Sequence, residues 1–141
     1  MGPWVGIDYG KRRIGLAVSD ATGRLAFPLE VVQAGGGHAA NAARVVAAAR
    51  DHEPIGFVVG LPLNMDGSVG PQAEWSQAFA GALRAATTAR VELVDERLSS
   101  FQADELMEQA GVPSGQRAAR RDAFAAQVIL MAFLARGRSA E

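Results

Sequence analysis

The 141-residue chain contains no cysteine. Disulfides and thiolate metal sites are thereby excluded, and the composition suits a reducing cytoplasm. No apolar run approaches the ~20 residues that a membrane-spanning helix needs. The longest, Val128 to Ala135, reads as a buried helix face. The N-terminus lacks a basic region followed by an apolar one, so no signal peptide is expected. A net basic field is missing as well. The formal charge is −1, which counts against a protein that merely coats nucleic acid. There are no repeats and no low-complexity linker, and Gly35-Gly36-Gly37 reads as a flexible loop.

Residues 1–141 are therefore expected to form one domain around one core, with 49% hydrophobic and 21% charged residues as in a soluble globular protein. Thirteen of the fourteen basic residues are Arg and Ala is abundant, which marks a compositional bias. The preference for Arg over Lys thus carries no message about phosphate binding; the positions do. Lys11, Arg12 and Arg13 follow an early acid, and Arg117, Arg120 and Arg121 precede a late one.

Trp4 to Tyr9 and Ile14 to Ser19 read as strands joined by a tight turn at Gly10-Lys11-Arg12. Phe27 to Gln33 reads as a third strand, placed at an edge by Pro28. An Ala-rich helix over 39–52 stops ahead of Pro54, and the apolar run Ile55 to Leu61 predicts a strand buried on both faces. Gly70-Pro71 opens a helix whose Trp75, Phe79, Ala82, Leu83 and Ala86 share a face, and Val91 to Asp95 is another strand. Ser99 to Gln102 fits a capping box for a helix ending at Gly111. The last helix is expected from about Arg121 to Arg136, with Ala126, Ile129, Met131, Phe133 and Leu134 available for burial. This order gives an α/β fold: a mixed five-stranded sheet with helices on both faces, the ribonuclease H-like arrangement.

Three acids stand at the edges of apolar segments. Asp8 lies in a strand between Gly6 and Gly10, the i±2 positions on its own face. That face would be cleared for a metal and a phosphate; alternatively, the glycines serve packing and the turn. Asp95 and Glu96 end a strand, and alternation sends only one of them to the side of Asp8, without saying which. Asp122 shares a helical face with Ala125, Ala126 and Ile129, which would admit the helix close to the sheet; equally, it could be an N-cap. Clustered carboxylates stay ionised only around a cation. Three oxygen-donor acids converging from distant points suit Mg²⁺ or Mn²⁺, and a metal held so is suited to phosphodiester hydrolysis. The remaining polar residues read more plainly. Asp20 and Asp66 belong to turns, Asp104, Glu105 and Glu108 to a solvated helix face, His38 and His52 to helix ends, and Ser99 and Ser100 to a cap.

The stretches Gly6-Ile7-Asp8-Tyr9-Gly10, Arg12 to Ala17, Val59 to Gly67, Asp95 to Ser100 and Asp122 to Leu130 resemble, in order and over essentially the whole chain, the YqgF/RuvX family of ribonuclease H-like proteins. The resemblance implies a nuclease associated with maturing the 5′ end of pre-16S ribosomal RNA, in a family related to Holliday-junction resolvases. It implies Asp8, Glu96 and Asp122 as metal-binding, catalytic carboxylates for Mg²⁺ or Mn²⁺, with Asp95 in reserve. Lys11, Arg12, Arg13, Arg97, Arg120 and Arg121 become candidates for backbone phosphates, which position a strand without reading it. Resolvases of this fold carry an acid at the end of the strand matching Phe57 to Gly60; here no acid precedes Asp66, which favours simple RNA cleavage over junction resolution. Two rivals remain. One is a non-catalytic nucleic-acid-binding module. The other is an ATP-handling domain of the actin and sugar-kinase type, against which stand Lys11-Arg12-Arg13 in place of phosphate-binding hydroxyls and the short chain.

Overall fold

The computed structural model describes residues 2–96 and 100–139. Two short alternating strands meet across a tight turn. β1 (Trp4–Tyr9) and β2 (Arg13–Ser19) pair antiparallel, with Asp8 opposite Gly15 and Tyr9 opposite Ile14. The turn closes where the Gly10 N–H donates to the Arg13 carbonyl at 3.0 Å. A Cβ at Gly10 would stand 2.5 Å from that oxygen, so only glycine fits the turn. β3 (Ala26–Gln33) adds antiparallel to β2 at the sheet's edge, a position that tolerates Pro28, and the register shifts beside its partner Ala17.

The chain then alternates helix and strand. α1 (His38–Ala49) runs into a 3-10 turn at 50–52, and β4 (Gly56–Leu61) enters the sheet parallel to β1. α2 (Pro71–Ala86) starts with Pro at its first position, as a missing N–H costs nothing there. β5 (Arg90–Asp95) pairs parallel with β4, giving the order β3-β2-β1-β4-β5. α3 (Ser100–Gln109) and α4 (Ser114–Ser139) complete the chain. Gly111, at φ 72°, takes the left-handed turn that ends α3.

Both faces of the sheet are covered. On one, Val5, Ile7, Leu16, Phe57 and Val59 pack against Ala42 and Val45 of α1 and Phe79 and Leu83 of α2. On the other, Trp4, Ala17, Val58 and Val94 meet Ala126, Ile129, Leu130 and Leu134 of α4. α3 lies on α4 through Ala103, Met107 and Phe124. No helix among the described residues is long and apolar enough to cross a membrane.

Several expectations need correction. α4 begins at Ser114, not near Arg121, because the Arg- and Ala-rich stretch before Asp122 is itself a good helix former. Asp122 is therefore a mid-helix residue, and its N-cap alternative falls. Met131 turns outward at 43% exposure. On α2, Phe79 and Leu83 are buried, whereas Ala86 is exposed. The acids of α3 do not simply face water: Glu108 pairs with Arg117 at 2.7 Å and Asp104 with Arg121 at 3.0 Å. Nor is the triple-glycine loop free, since the Gly35 N–H donates to Asn41 Oδ1 at 2.9 Å. Ser99, the expected cap, lies outside the described residues.

The α4 backbone comes closest to the sheet where side chains are missing. A Cβ on Gly6 would stand 2.8 Å from the Ala126 carbonyl oxygen and 2.7 Å from Leu130 Cβ, and one on Gly15 would overlap the Asp122 carbonyl. Backbone cannot swing aside as a side chain can. Gly15→Ala should therefore cost about 1–3 kcal/mol, as overpacking does. Gly81→Ala on α2, where a Cβ meets nothing within 4 Å, should instead stabilise by about 0.5–1 kcal/mol. Thermal melts of the two variants beside the parent check both signs.

Candidate active site

Alternation along β1 divides its residues cleanly. Val5, Ile7 and Tyr9 face α1 and α2, so Trp4, Gly6 and Asp8 face α4. Gly6 does not clear room for a ligand beside Asp8, as expected; α4 fills that space. The room at the acid lies instead towards the strand ends. On β5, Val94 belongs to the α4 face and Leu93 to the other. Two residues on from Val94, Glu96 continues towards α4, and Asp95 is turned away. The Glu96 N–H donates to the Leu61 carbonyl at 2.9 Å, which extends the ladder just past the strand. Gly60 leaves space for it: a Cβ there would stand 2.5 Å from Glu96 Oε2 and 2.7 Å from Ile129 Cδ1, so both side chains would have to shift. Of Asp95 and Glu96, it is Glu96 that faces the side of the sheet on which Asp8 lies.

The third acid arrives on α4. With the Asp122 backbone resting over Gly15, directly across the hairpin from Asp8, strand and helix acids meet at one end of one face. Their electrostatics register the meeting. Burial first, and then the charge of Asp122, push the Asp8 carboxyl up to about 6. Burial first, and then the charge of Asp8, push Glu96 up to about 7. Asp122 is engaged differently, accepting from Arg13 Nε at 2.8 Å. Among the described residues, no three acidic or His side chains stand close enough as placed to hold a metal ion. The ready-made cage expected from sequence is therefore not closed among these residues as placed, and one of its three expected donors, Asp122, is paired with an arginine.

The basic candidates separate into two groups. Lys11, Arg12 and Arg13 are exposed on the hairpin turn and, with Gly10 and Asp122, line an open pocket of about 300 Å³. Arg120 lies over the Phe124 ring at 5.3 Å and Arg121 is paired with Asp104, so both have partners within the helical layer. Arg97 lies outside the described residues. Behind the site, the Tyr9 hydroxyl accepts from Asn41 Nδ2 at 2.9 Å and lies 2.7 Å from His38 Nδ1. His38 is thus tied to the strand that bears Asp8, not lone. Sequence reasoning missed the roles of Gly15 and Gly60. Counting hairpin register outward from the turn would have set Gly15 opposite Asp8.

A family model described as "RuvX: Holliday junction resolvase" matches residues 2–136. Proteins named "Putative pre-16S rRNA nuclease" are similar over nearly their whole length. One from Anaeromyxobacter dehalogenans (strain 2CP-C) is 46% identical over 132 residues, 94% of this chain and 96% of the relative. Another, from Anaeromyxobacter sp. (strain Fw109-5), is 45% identical over 134 residues, 93% of this chain and 95% of the relative. Among solved structures, Thermus thermophilus RuvC in complex with a Holliday junction substrate aligns with a TM-score of 0.56 at 21% identity, covering 97% of this chain and 96% of that one. At that identity the likeness is one of fold, the ribonuclease H-like sheet.

Raised carboxyl pKa values make a stability prediction with a definite sign. The folded protein holds protons on Asp8 and Glu96 that the unfolded chain releases above its ordinary values of 3.8 and 4.5. Stability from these groups is thus full below pH ~4 and is lost as pH rises through about 6 to 7. Without divalent ions, the melting temperature should fall across that window. In Asp8→Asn the fall should shrink, and the variant should be at least as stable as the parent at pH 8. A parent melting temperature that climbs from pH 4 to pH 7 would show that these acids are satisfied as anions.

Proposed function

The chain belongs to the RuvX family, and from that membership and its acid cluster we propose that it is a metal-dependent nuclease acting on RNA, processing the 5′ end of pre-16S ribosomal RNA in the cytoplasm. The observation that carries the reading is that Asp8, Glu96 and Asp122 face one side of the sheet, with the carboxyl pKa of Asp8 raised by burial and the charge of Asp122, and that of Glu96 raised by burial and the charge of Asp8. Acids so placed repel one another, and a positive group, Arg13, pairs with Asp122. The donor set, all carboxylate oxygen, fits Mg²⁺ or Mn²⁺ and not a softer metal. Asp8, coupled electrostatically to Asp122 and to Glu96, would hold the ion together with them. A divalent ion bound there supplies an activated water and charge stabilisation at the leaving oxygen.

The protein's own groups do the rest. β1 and β5 hold Asp8 and Glu96 on hydrogen-bonded backbone, so their direction is preset. Lys11 and Arg12 stand beside the cluster on an exposed turn and place the phosphate chain across it. The names of relatives that match over more than nine-tenths of this chain support RNA as substrate. A DNA junction is the second reading, favoured by the family's own description. The end of β4 carries no acid to match the resolvase pattern, and Glu96 from β5 stands over Gly60 in its place.

One assay separates these readings. Labelled single-stranded RNA, duplex RNA, single-stranded DNA and a four-way junction are each incubated with Mn²⁺ or Mg²⁺. Cleavage of RNA is expected, falling to background in Asp8→Asn, because an amide is a poor bridge to a cation. Junction cleavage alone would favour the second reading, and binding without cleavage would favour a non-catalytic module.

Binding should also weaken with salt, since each neutralised phosphate releases counterions. Replacing Lys11 and Arg12 together by Ala should flatten the log–log slope by roughly 0.7 for each single-strand phosphate no longer neutralised. Fluorescence anisotropy across a salt series measures it, and an unchanged slope would remove the turn from the footprint.

A further inference from the structure

A cation already sits at the acid cluster, and it belongs to the protein. Arg13 opens β2 and shares the α4-facing side with Gly15 and Ala17. Its backbone is pinned: its carbonyl accepts from Gly10, and the neighbouring Arg12 carbonyl accepts from Ala34 at 2.9 Å. Only the side chain is left to move. That side chain is 55% exposed and its partner Asp122 24% exposed, with 2.8 Å between Nε and Oδ2. An ion pair so open to water contributes little to the fold and is cheaply exchanged. Yet it consumes an oxygen of Asp122, the acid whose charge acts on Asp8.

We propose that Arg13 is an exchangeable resident cation. It occupies Asp122 while no divalent ion is bound, and on metal binding it is released to a phosphate of the substrate strand. The proposal rests on the reading of Asp8, Glu96 and Asp122 as the metal site. The pocket lined by Gly10, Lys11, Arg12, Arg13 and Asp122 keeps a released guanidinium within reach of any phosphate held there. Arg suits both states, because its planar fork matches carboxylate and phosphate alike. A coupling follows. Metal takes one partner of the ion pair and phosphate takes the other, so each ligand must tighten the other's binding by the same factor.

The test uses the full chain and metal alone. Mn²⁺ is titrated calorimetrically into the parent, Arg13→Gln and Arg12→Gln, without nucleic acid. Arg12→Gln removes the same charge from the same turn and controls for through-space electrostatics. Arg13→Gln is expected to bind Mn²⁺ several-fold more tightly than both of the others, and the gain should vanish when Asp122→Asn is added. In the parent, Mn²⁺ should tighten binding of a short phosphorothioate oligonucleotide, and this coupling should be lost in Arg13→Gln. Equal tightening by the two Gln variants would overturn the proposal, as would weaker Mn²⁺ binding by Arg13→Gln, which would make Arg13 a prop for Asp122. If the parent binds Mn²⁺ and the Arg13 variant matches it, only the exchange fails. If none of the proteins binds Mn²⁺, the metal site fails and the exchange with it.

Discussion

The close approach of α4 to the sheet is the constraint from which the rest follows. A helix normally rests on a sheet through its side chains. Here the backbone at Asp122 and Ala126 comes down onto Gly15 and Gly6, while the Ile129 side chain fills the space over Gly60. These positions lie on β2, β1 and β4, so three neighbouring strands give up a side chain on the same face. The result is both a core and a site. Ala126, Ile129 and Leu130 are fully buried against that face, and the same descent carries the Asp122 carboxylate to the end of β1. A bulkier residue at Gly15 would lift the helix and move the acid together.

Burying carboxylates in that way has an electrostatic consequence. Low dielectric and mutual repulsion both disfavour charge on Asp8 and Glu96, and both raise their pKa. Arg13 answers the helix-borne acid with a positive charge, and the strand-borne acids are left easier to protonate than free carboxylates. On the proposed reading, a divalent ion would displace both arrangements. The stability of the free protein near neutral pH is therefore expected to be reduced by its buried acids.

Most of the scaffold was legible in the chain, because its signals are strong and local. Trp4 to Tyr9 alternates and ends at a glycine turn; Pro28 marks an edge; Gly56 to Leu61 is continuously apolar because both faces of β4 are covered. What escaped was set by tertiary packing. The stretch before Asp122 carries few apolar residues, so periodicity placed the helix start too late. Arg and Ala propensity, helped by the Arg117–Glu108 and Arg121–Asp104 pairs with α3, carries it back to Ser114. The glycines beside Asp8 were read as room for a ligand, and the structure fills one of those rooms with a helix. Whether Asp95 or Glu96 faced the cluster could not be settled by alternation on a strand of unknown phase; it needed the α4 face to be identified by Val58 and Val94.

The three acids also differ in how firmly they are held, and that difference orders their roles. Asp8 sits in a strand paired on both sides, and Glu96 is anchored through its N–H to Leu61, so neither backbone can shift without breaking the sheet. Asp122 has a backbone fixed by Gly15 but a side chain whose direction is set by an exposed arginine. Two firmly held acids and one adjustable acid suit the metal site proposed above. On that reading the rigid pair would define where the ion goes. The adjustable acid would then complete the site, and the arginine paired with it lines the open pocket beside the hairpin turn, where a phosphate would arrive.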